Sequence, residues 1–227
     1  MLELYRIVVE NEIAKPGFLH TINSERRPMS IAGVDIAFFG PEESEQNAYI
    51  RFFKDRLEGN PRPKPDENAL SAIIGLRYGG TAVVLGSDAL TRNWKTAVPR
   101  YRRERWPRAS VFKVPHHGAR NSYAKRKQES YLTLCRSEKD THAVLFAGDA
   151  KHPHPDVLRE LRGETRLCCL ANGCKAGRMQ ANPLRIDIPG AIAVLPSMTC
   201  SPVLSYVIHN DGRTEQVAGL QCSFCQR

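Results

Sequence analysis

Three consecutive apolar segments of this sequence end in residues that can bind a metal ion. These residues are Asp88 after the first segment, the pair His116-His117 after the second, and Asp149, His152 and His154 after the third. Side chains at the ends of neighbouring strands converge on one edge of an α/β sheet, which is where sites are built. A single aspartate after a strand often only forms a turn, but adjacent histidines are rarer there because each buried imidazole needs a partner. The pattern therefore predicts a metal or catalytic site.

The elements that would position these residues follow from hydropathy and from the turn-forming residues. Strands are predicted at 4–9, 31–39, 70–78, 81–85, 111–114 and 143–146. Helices are predicted at 42–58 and 155–163. Gly79-Gly80 separates two apolar runs and predicts a β-hairpin. Together these elements predict an α/β fold over residues 1–165, followed by a β-rich, cysteine-containing extension over residues 166–227.

Four segments in a fixed order and spacing carry a resemblance to a known family. They are residues 68–74, the Gly-Ser-Asp turn within 85–89, the His-His-Gly turn within 111–118, and the His-Pro-His-Pro run within 152–158. This order resembles the C-terminal half of metallo-β-lactamase-fold hydrolases. It is most similar to the ComEC type, which comprises the nuclease-like domain of competence DNA-uptake proteins and its stand-alone relatives. The resemblance covers residues 31–162.

The resemblance implies a fold, a metal centre and a role for several residues. The implied fold is an αββα sandwich whose sheet edge holds one or two Zn²⁺ or Mn²⁺ ions. Asp88 would bridge the metals and act in catalysis, His117 would be a metal ligand, and His116 would contact the substrate phosphate as a second catalytic residue. The metals would activate a bound water and stabilise charge on the attacked phosphoryl group. This sequence departs from the family at Gly86-Ser87-Asp88, because the family usually has Gly-Asp directly.

The family signature His-x-His-x-Asp-His does not occur in the 227 residues. The nearest match is the run from His152 to Val157, which has Val157 in place of the last histidine. Since Pro155 favours the first turn of a helix, His152 and His154 are expected at a helix start and on the rim of the substrate pocket. A catalytic zinc takes three protein ligands and a water. Either a partner chain that carries the signature completes the metal centre, or the domain works without catalysis.

The formal net charge of +9 favours nucleic acid or another phosphodiester as a partner. The arginines predicted to contact this substrate are Arg100, Arg102, Arg103 and Arg105. Guanidinium groups pair bidentately with phosphates, and interleaved aromatic rings can stack on bases. The rings predicted to do so are those of Trp94, Tyr101 or Trp106. The alternative is a solvated helix face, which is what most charged runs form.

The sequence contains seven cysteines, most of them in the C-terminal extension. A structural zinc site of four thiolates is predicted from Cys169, Cys174, Cys222 and Cys225. Buried free thiols are an equal alternative, because cysteine packs as a small apolar residue. Cys135 and Cys200 are expected to be structural.

Taken together, the residues and the resemblance predict a subunit of a metal-dependent hydrolase, a phosphodiesterase or nuclease that a partner chain completes. The alternative is a non-catalytic module of the same fold that binds nucleic acid or a protein. Apolar positions 4, 7, 9, 36 and 38 are expected to contribute to the partner interface. The N-terminal residues lack the pattern of a secretory signal, and no apolar run approaches the ~20 residues of a membrane span. A cytoplasmic location without membrane association is therefore expected.

Overall fold

A mixed β-sheet with helices forms the main body of the chain. The structure is a computed structural model in which residues 23–60, 62–124, 127–136, 140–146, 152–169, 205–208 and 214–218 are described. Its sheet contains, in spatial order, β1 (Met29–Ile31), β2 (Val34–Gly40), β3 (Ile73–Tyr78), β4 (Thr81–Leu85), β5 (Ala109–Lys113), β6 (His142–Leu145) and β7 (Arg166–Cys169). The α-helices are α1 (Glu43–Leu57), α2 (Thr91–Arg103) and α3 (Pro155–Glu164). Two further strands, β8 (Ser205–Ile208) and β9 (Thr214–Ala218), form an antiparallel pair.

The sheet changes direction at β4. Strands β1 to β4 are antiparallel neighbours, and β4 to β7 are parallel neighbours. Because parallel strands need a crossover connection, α2 links β4 to β5 and α3 links β6 to β7. The α/β class is therefore confirmed. The β3–β4 hairpin, which turns at Gly79-Gly80, is also confirmed.

The apolar run predicted as one strand at 31–39 is instead two strands joined by a tight turn. Ile31 pairs with Val34, and the two residues between them, Ala32 and Gly33, have φ angles of 51° and 79°. Positive φ at both central positions is typical of the two-residue turn that best matches the twist of a hairpin. The prediction of a continuous strand was wrong because glycine at the second turn position allows this reversal inside an apolar run.

One face of the sheet holds the main hydrophobic core. The core combines residues from alternate positions of the strands with residues from α2 and α3, among them Phe39, Val84, Trp94, Phe112 and Leu161. Successive side chains of a strand point to opposite faces, so residues adjacent to these lie on the other face. There Val111 and Val144 form a second buried cluster against Val83.

The apolar positions predicted for a partner interface have different environments. Phe38 is only 6% exposed, so its expected contribution to an exposed interface was wrong. Ile36 is partly exposed. Residues 4, 7 and 9, together with the strand predicted at 4–9, lie outside the described residues. Strand β7 belongs to the main sheet, although its residues follow the predicted domain boundary at 165.

Asn93 joins the start of α2 to two other elements. Its side-chain oxygen accepts a hydrogen bond from the backbone N–H of Leu90 (2.9 Å), which caps the helix. Its amide nitrogen donates to the carboxylate of Glu45 in α1 (2.9 and 3.0 Å) and to the carbonyl of Ala69 (3.0 Å). The residue is only 2% exposed, so these hydrogen bonds are shielded from solvent. This network fixes the helix that begins three residues after Asp88.

Candidate metal and catalytic site

Asp88 and His117 lie opposite each other at one edge of the sheet. They follow the parallel neighbours β4 and β5, in which Leu85 pairs with Lys113, so both strands end side by side. The Nε2 atom of His117 is 3.9 Å from Oδ1 of Asp88. Their side chains are 41% and 47% exposed, so the space between them is open to solvent. The predicted proximity of these two residues, at about the spacing of ligands to one metal, is confirmed.

The two turns that carry Asp88 and His117 are tied together through one carbonyl group. The carbonyl oxygen of Ser87 accepts hydrogen bonds from the backbone N–H of His116 (3.0 Å) and from Nζ of Lys113 (3.0 Å). Ser87 reaches this position with a φ of 43°, which directs its carbonyl toward the end of β5. The residue inserted between Gly86 and Asp88 thus links the two turns.

The hydrogen bonding of His117 fixes its tautomer. Its Nδ1 lies 2.8 Å from the carbonyl oxygen of Phe146, which follows β6. A carbonyl can only accept, so Nδ1 carries the proton, and the neutral ring has its lone pair on Nε2. That atom is the one that faces Asp88. Histidines that bind metals commonly donate their second ring nitrogen to a carbonyl in this way.

The His-His-Gly turn has an unusual backbone. His116 (φ 45°, ψ 47°) and His117 (φ 53°, ψ 23°) are both left-handed, and Gly118 has a φ of 72°. For a residue other than glycine this conformation costs roughly 1–2 kcal/mol. It is held by hydrogen bonds from Ala119 N–H to the His116 carbonyl (2.8 Å) and from His154 N–H to the Gly118 carbonyl (3.0 Å). Backbone strain held by its surroundings in this manner clusters at functional sites.

His116 presents a neutral imidazole beside the Asp88–His117 pair. Burial lowers its pKa, the charge of Asp88 opposes that shift, and His152 adds to it. The rings of His116 and His152 have centroids 6.0 Å apart. Within the described part of the chain, the buried Nδ1 atom of His116 has no hydrogen-bond partner. An unsatisfied buried polar atom of this kind is uncommon in folded proteins.

His152 and His154 have different roles in the structure. His154 is the N-cap of α3, where its Nδ1 accepts a hydrogen bond from the Asp156 N–H (3.2 Å), so the predicted position at a helix start is confirmed. His152 instead lies next to His116 at the site. Asp149 lies outside the described residues.

Lys113 is a site residue that the sequence analysis missed. Besides its bond to Ser87, its Nζ lies 6.0 Å from the ring centre of Phe146. Burial of its ammonium group lowers the pKa of Lys113, and the nearby charge of Asp88 opposes that shift. The available signal was a charged residue at the end of strand β5, between Phe112 and Val114.

The basic segment is arranged differently from the prediction. Trp94, Tyr101 and Trp106 are 0%, 2% and 8% exposed. The prediction that these rings stack on bases was wrong, because they form the core side of α2 and of the turn after it. Arg100 is paired with Glu104 (2.9 Å) and with Glu25 (3.2 Å).

The predicted substrate-binding arginines lie away from the Asp88–His117 pair. Arg102, Arg103 and Arg105 are exposed at the end of α2 or just beyond it. Helix α2 begins three residues after Asp88, and its first and last residues are about 18 Å apart at 1.5 Å per residue. The structure therefore does not bring these arginines to the candidate metal site.

The side chains of the predicted cysteine site lie outside the described residues. The backbone of Cys169 is the last residue of β7, but its side chain is not described. The described residues also do not include Cys174, Cys200, Cys222 and Cys225. Cys135 is buried at 3% exposure, so its predicted structural role is confirmed. Burial raises the pKa of its thiol to about 12, so the thiol is uncharged.

The described ranges contain no group of three or more His, Cys, Asp and Glu side chains arranged to hold a metal ion. No helix in that part of the chain is long and apolar enough to cross a membrane. Comparison of the sequence with protein-family models and with curated proteins gives no match.

Proposed function

We propose that this chain supplies half of the metal centre of a metal-dependent hydrolase that cleaves phosphodiesters, as a phosphodiesterase or nuclease. In this proposal a partner chain that carries His-x-His-x-Asp-His completes both the αββα metallo-β-lactamase sandwich and the metal centre. The observation that carries it is the Asp88–His117 pair, 3.9 Å apart at the end of two parallel strands.

The residues present fit a zinc or manganese ion. With metal–ligand bonds of about 2.0–2.1 Å, two ligand atoms at a tetrahedral zinc are roughly 3.4 Å apart. Nε2 of His117 and Oδ1 of Asp88 would have to approach each other by about 0.5 Å, which small side-chain rotations achieve. Because Nδ1 of His117 bonds to the Phe146 carbonyl, Nε2 keeps its lone pair and can act as a metal ligand. These two donors are fewer than the three of a catalytic zinc, which is why the proposal includes a partner.

The metal, when bound, would supply a water of near-neutral pKa and stabilise charge on the phosphoryl group. Asp88 and His117 would hold it. His116, kept neutral by burial, would contact a phosphate oxygen or its water from beside the pair. Lys113 would hold the Ser87 turn in place and add positive charge beside the site.

The arrangement of the sheet supports the proposed sandwich. Helices α2 and α3 cover one face, and Val83, Val111 and Val144 lie on the other. In an αββα sandwich this second face packs against another sheet. The net charge of +9 supports an anionic substrate.

A metal titration of the chain alone tests the proposed ligands. Zinc binding, measured by competition with a chromophoric chelator, should be weak and should fall by about tenfold or more in His117→Asn. The matched control is His154→Asn, which also removes a histidine but keeps an acceptor for the cap of α3. Equal zinc affinities in the two variants would refute the ligand assignment.

Co-expression with a chain that carries the signature tests the function itself. The complex should hydrolyse bis(p-nitrophenyl) phosphate in a zinc- or manganese-dependent reaction, and Asp88→Ala should abolish that reaction while the complex still assembles. An active Asp88→Ala complex would contradict the proposal.

The second candidate is a non-catalytic module that binds nucleic acid or a protein. It is favoured by the small number of donors near Asp88 within the described residues. In that case the chain would bind an oligonucleotide equally well with and without metal, and Asp88→Ala would leave that binding unchanged.

A further inference from the structure

A cleft of about 750 Å³ lies away from Asp88 and His117. Its walls come from the end of α2, the segment between residues 120 and 136, and α3. Five arginines line it: Arg102, Arg108, Arg120, Arg136 and Arg159. Neither Asp88, His116 nor His117 is among the lining residues. A volume of this size is within the range of roughly 300–1,000 Å³ that is typical of small-molecule sites.

The acidic residues of the cleft do not balance its arginines. Arg159 is paired with Asp156 at 2.8 Å, which neutralises that arginine. The other acidic lining residues are Glu160 and Glu164, and Glu160 is hydrogen-bonded to the hydroxyl of Tyr123. Four arginines therefore face two glutamates, which leaves an excess of two positive charges in the cleft.

Three of these four arginines are held in place by uncharged groups. Arg108 donates to the carbonyl of Cys135 (3.3 Å), and Arg120 donates to a backbone carbonyl three residues ahead (3.2 Å). Arg136 donates through Nη2 to the hydroxyl of Thr81 (2.6 Å) and through Nε to the carbonyl of Arg108 (3.4 Å). Such bonds orient a guanidinium group without cancelling its charge. Ligand binding to oriented groups loses less conformational entropy than binding to mobile ones.

Arg102 differs from the other three in its side-chain contacts. Among the described residues its guanidinium group has neither a hydrogen bond nor an ion pair, although Arg100 on the same helix has two ion pairs with glutamates. None of the five donor groups of this guanidinium is bonded within the described residues, so a ligand in the cleft can use them.

We propose that this cleft binds a small ligand that carries a diphosphate group, of the class of nucleoside diphosphates. The excess positive charge of the cleft attracts the negative charge of linked phosphates, and guanidinium groups bind phosphate oxygens bidentately. The ring of Tyr123, with Arg120 positioned 5.8 Å from its centre, offers an aromatic wall beside the charged one. Binding here requires neither the metal nor the partner chain of the proposed hydrolase.

Isothermal titration of the purified chain with inorganic pyrophosphate and with ADP tests the proposal. Arg102→Gln removes the unpaired cleft arginine and should weaken both affinities by about tenfold, the effect of one charge-assisted contact. Arg120→Gln should weaken them similarly. The matched control is Arg103→Gln: this arginine is exposed in the same helical turn but does not line the cleft, so its loss should change little. Circular dichroism should show that all variants are folded.

Three results would overturn the proposal. Equal losses in Arg102→Gln and Arg103→Gln would show a diffuse positive field in place of a site. Loss of binding in Asp88→Ala would place the ligand at the metal site. Absence of pyrophosphate and ADP binding, with Arg102-dependent binding of a single-stranded oligonucleotide, would show that the cleft holds a nucleic-acid strand.

Discussion

Gly86 is a buried residue beside the candidate metal site, and it has no room for a side chain. A Cβ atom at this position would be 2.8 Å from Cζ2 of Trp94, 3.1 Å from Cβ of Pro115 and 3.2 Å from the carbonyl oxygen of Lys113. Favourable carbon–carbon contacts lie at about 3.5–4.0 Å. Trp94 has no space to move away, because it is fully buried. The centre of its ring lies 5.9 Å from that of Phe112 and 5.4 Å from that of Tyr131.

The substitution Gly86→Ala should therefore destabilise the fold and disturb the site together. Forcing one methyl group into a packed core costs about 1–3 kcal/mol. For a chain of this size, 2 kcal/mol corresponds to a fall in Tm of about 4–8 °C. Asp88 is two residues away, so movement of the turn would also weaken zinc binding by the chain. Differential scanning fluorimetry and urea unfolding measure the first effect, and the chelator competition measures the second.

Gly163→Ala is the matched control for this prediction. Gly163 lies in α3, and a Cβ atom there would have no neighbour within 4 Å. Alanine favours a helix over glycine by up to about 1 kcal/mol, so this variant should be unchanged or slightly more stable. If Gly86→Ala had the same Tm and zinc affinity as Gly163→Ala, the reasoning from close packing would be refuted.

Two further predictions concern polar groups of the fold. Asn93→Ala should lower the free energy of unfolding in urea by about 2–3 kcal/mol, because the cap of α2 is lost and the carbonyl of Ala69 loses a partner; an unchanged urea midpoint would contradict this. Burial, aided by the charge of Arg166, lowers the pKa of His142, so the unfolded chain takes up this proton at a higher pH than the folded one. The stability contributed by neutral His142 is thus complete above pH 6.5 and is lost as the pH falls below that value. The difference in unfolding free energy between pH 7.5 and pH 5.5 should therefore be smaller in His142→Gln than in the unchanged chain. An equal difference in both proteins would show that His142 does not contribute.

Local patterns were sufficient to predict most strands and the start of α3, whereas α2 was not among the predicted helices. Val111 to Val114 is apolar apart from Lys113, and Pro155 favours a helix start, so both elements could be predicted from a few adjacent residues. The 31–39 run shows the limit of such patterns. Hydropathy does not register a turn when the residues on both sides remain apolar.

The burial of α2 could also have been predicted from spacing. Trp94, Ala97, Val98 and Tyr101 recur at three and four residues and therefore form one helix face. The arginines between these residues instead indicated a nucleic-acid surface, on which the aromatic rings would be exposed. The spacing of the rings indicated core packing, and the structure agrees with the spacing.

The sequence by itself determined which residue types stand at the ends of β4 and β5, and hence that Asp88 and the two histidines would share one edge of a sheet. Only the tertiary structure decided which nitrogen of His117 faces Asp88, that Lys113 joins the site, and that arginines from α2, α3 and the segment between β5 and β6 line one cleft. The physical reason is that hydropathy and turn preference act between residues a few positions apart. The direction of a side chain and its distant neighbours depend on strand register, helix rotation and packing, which the whole core fixes together.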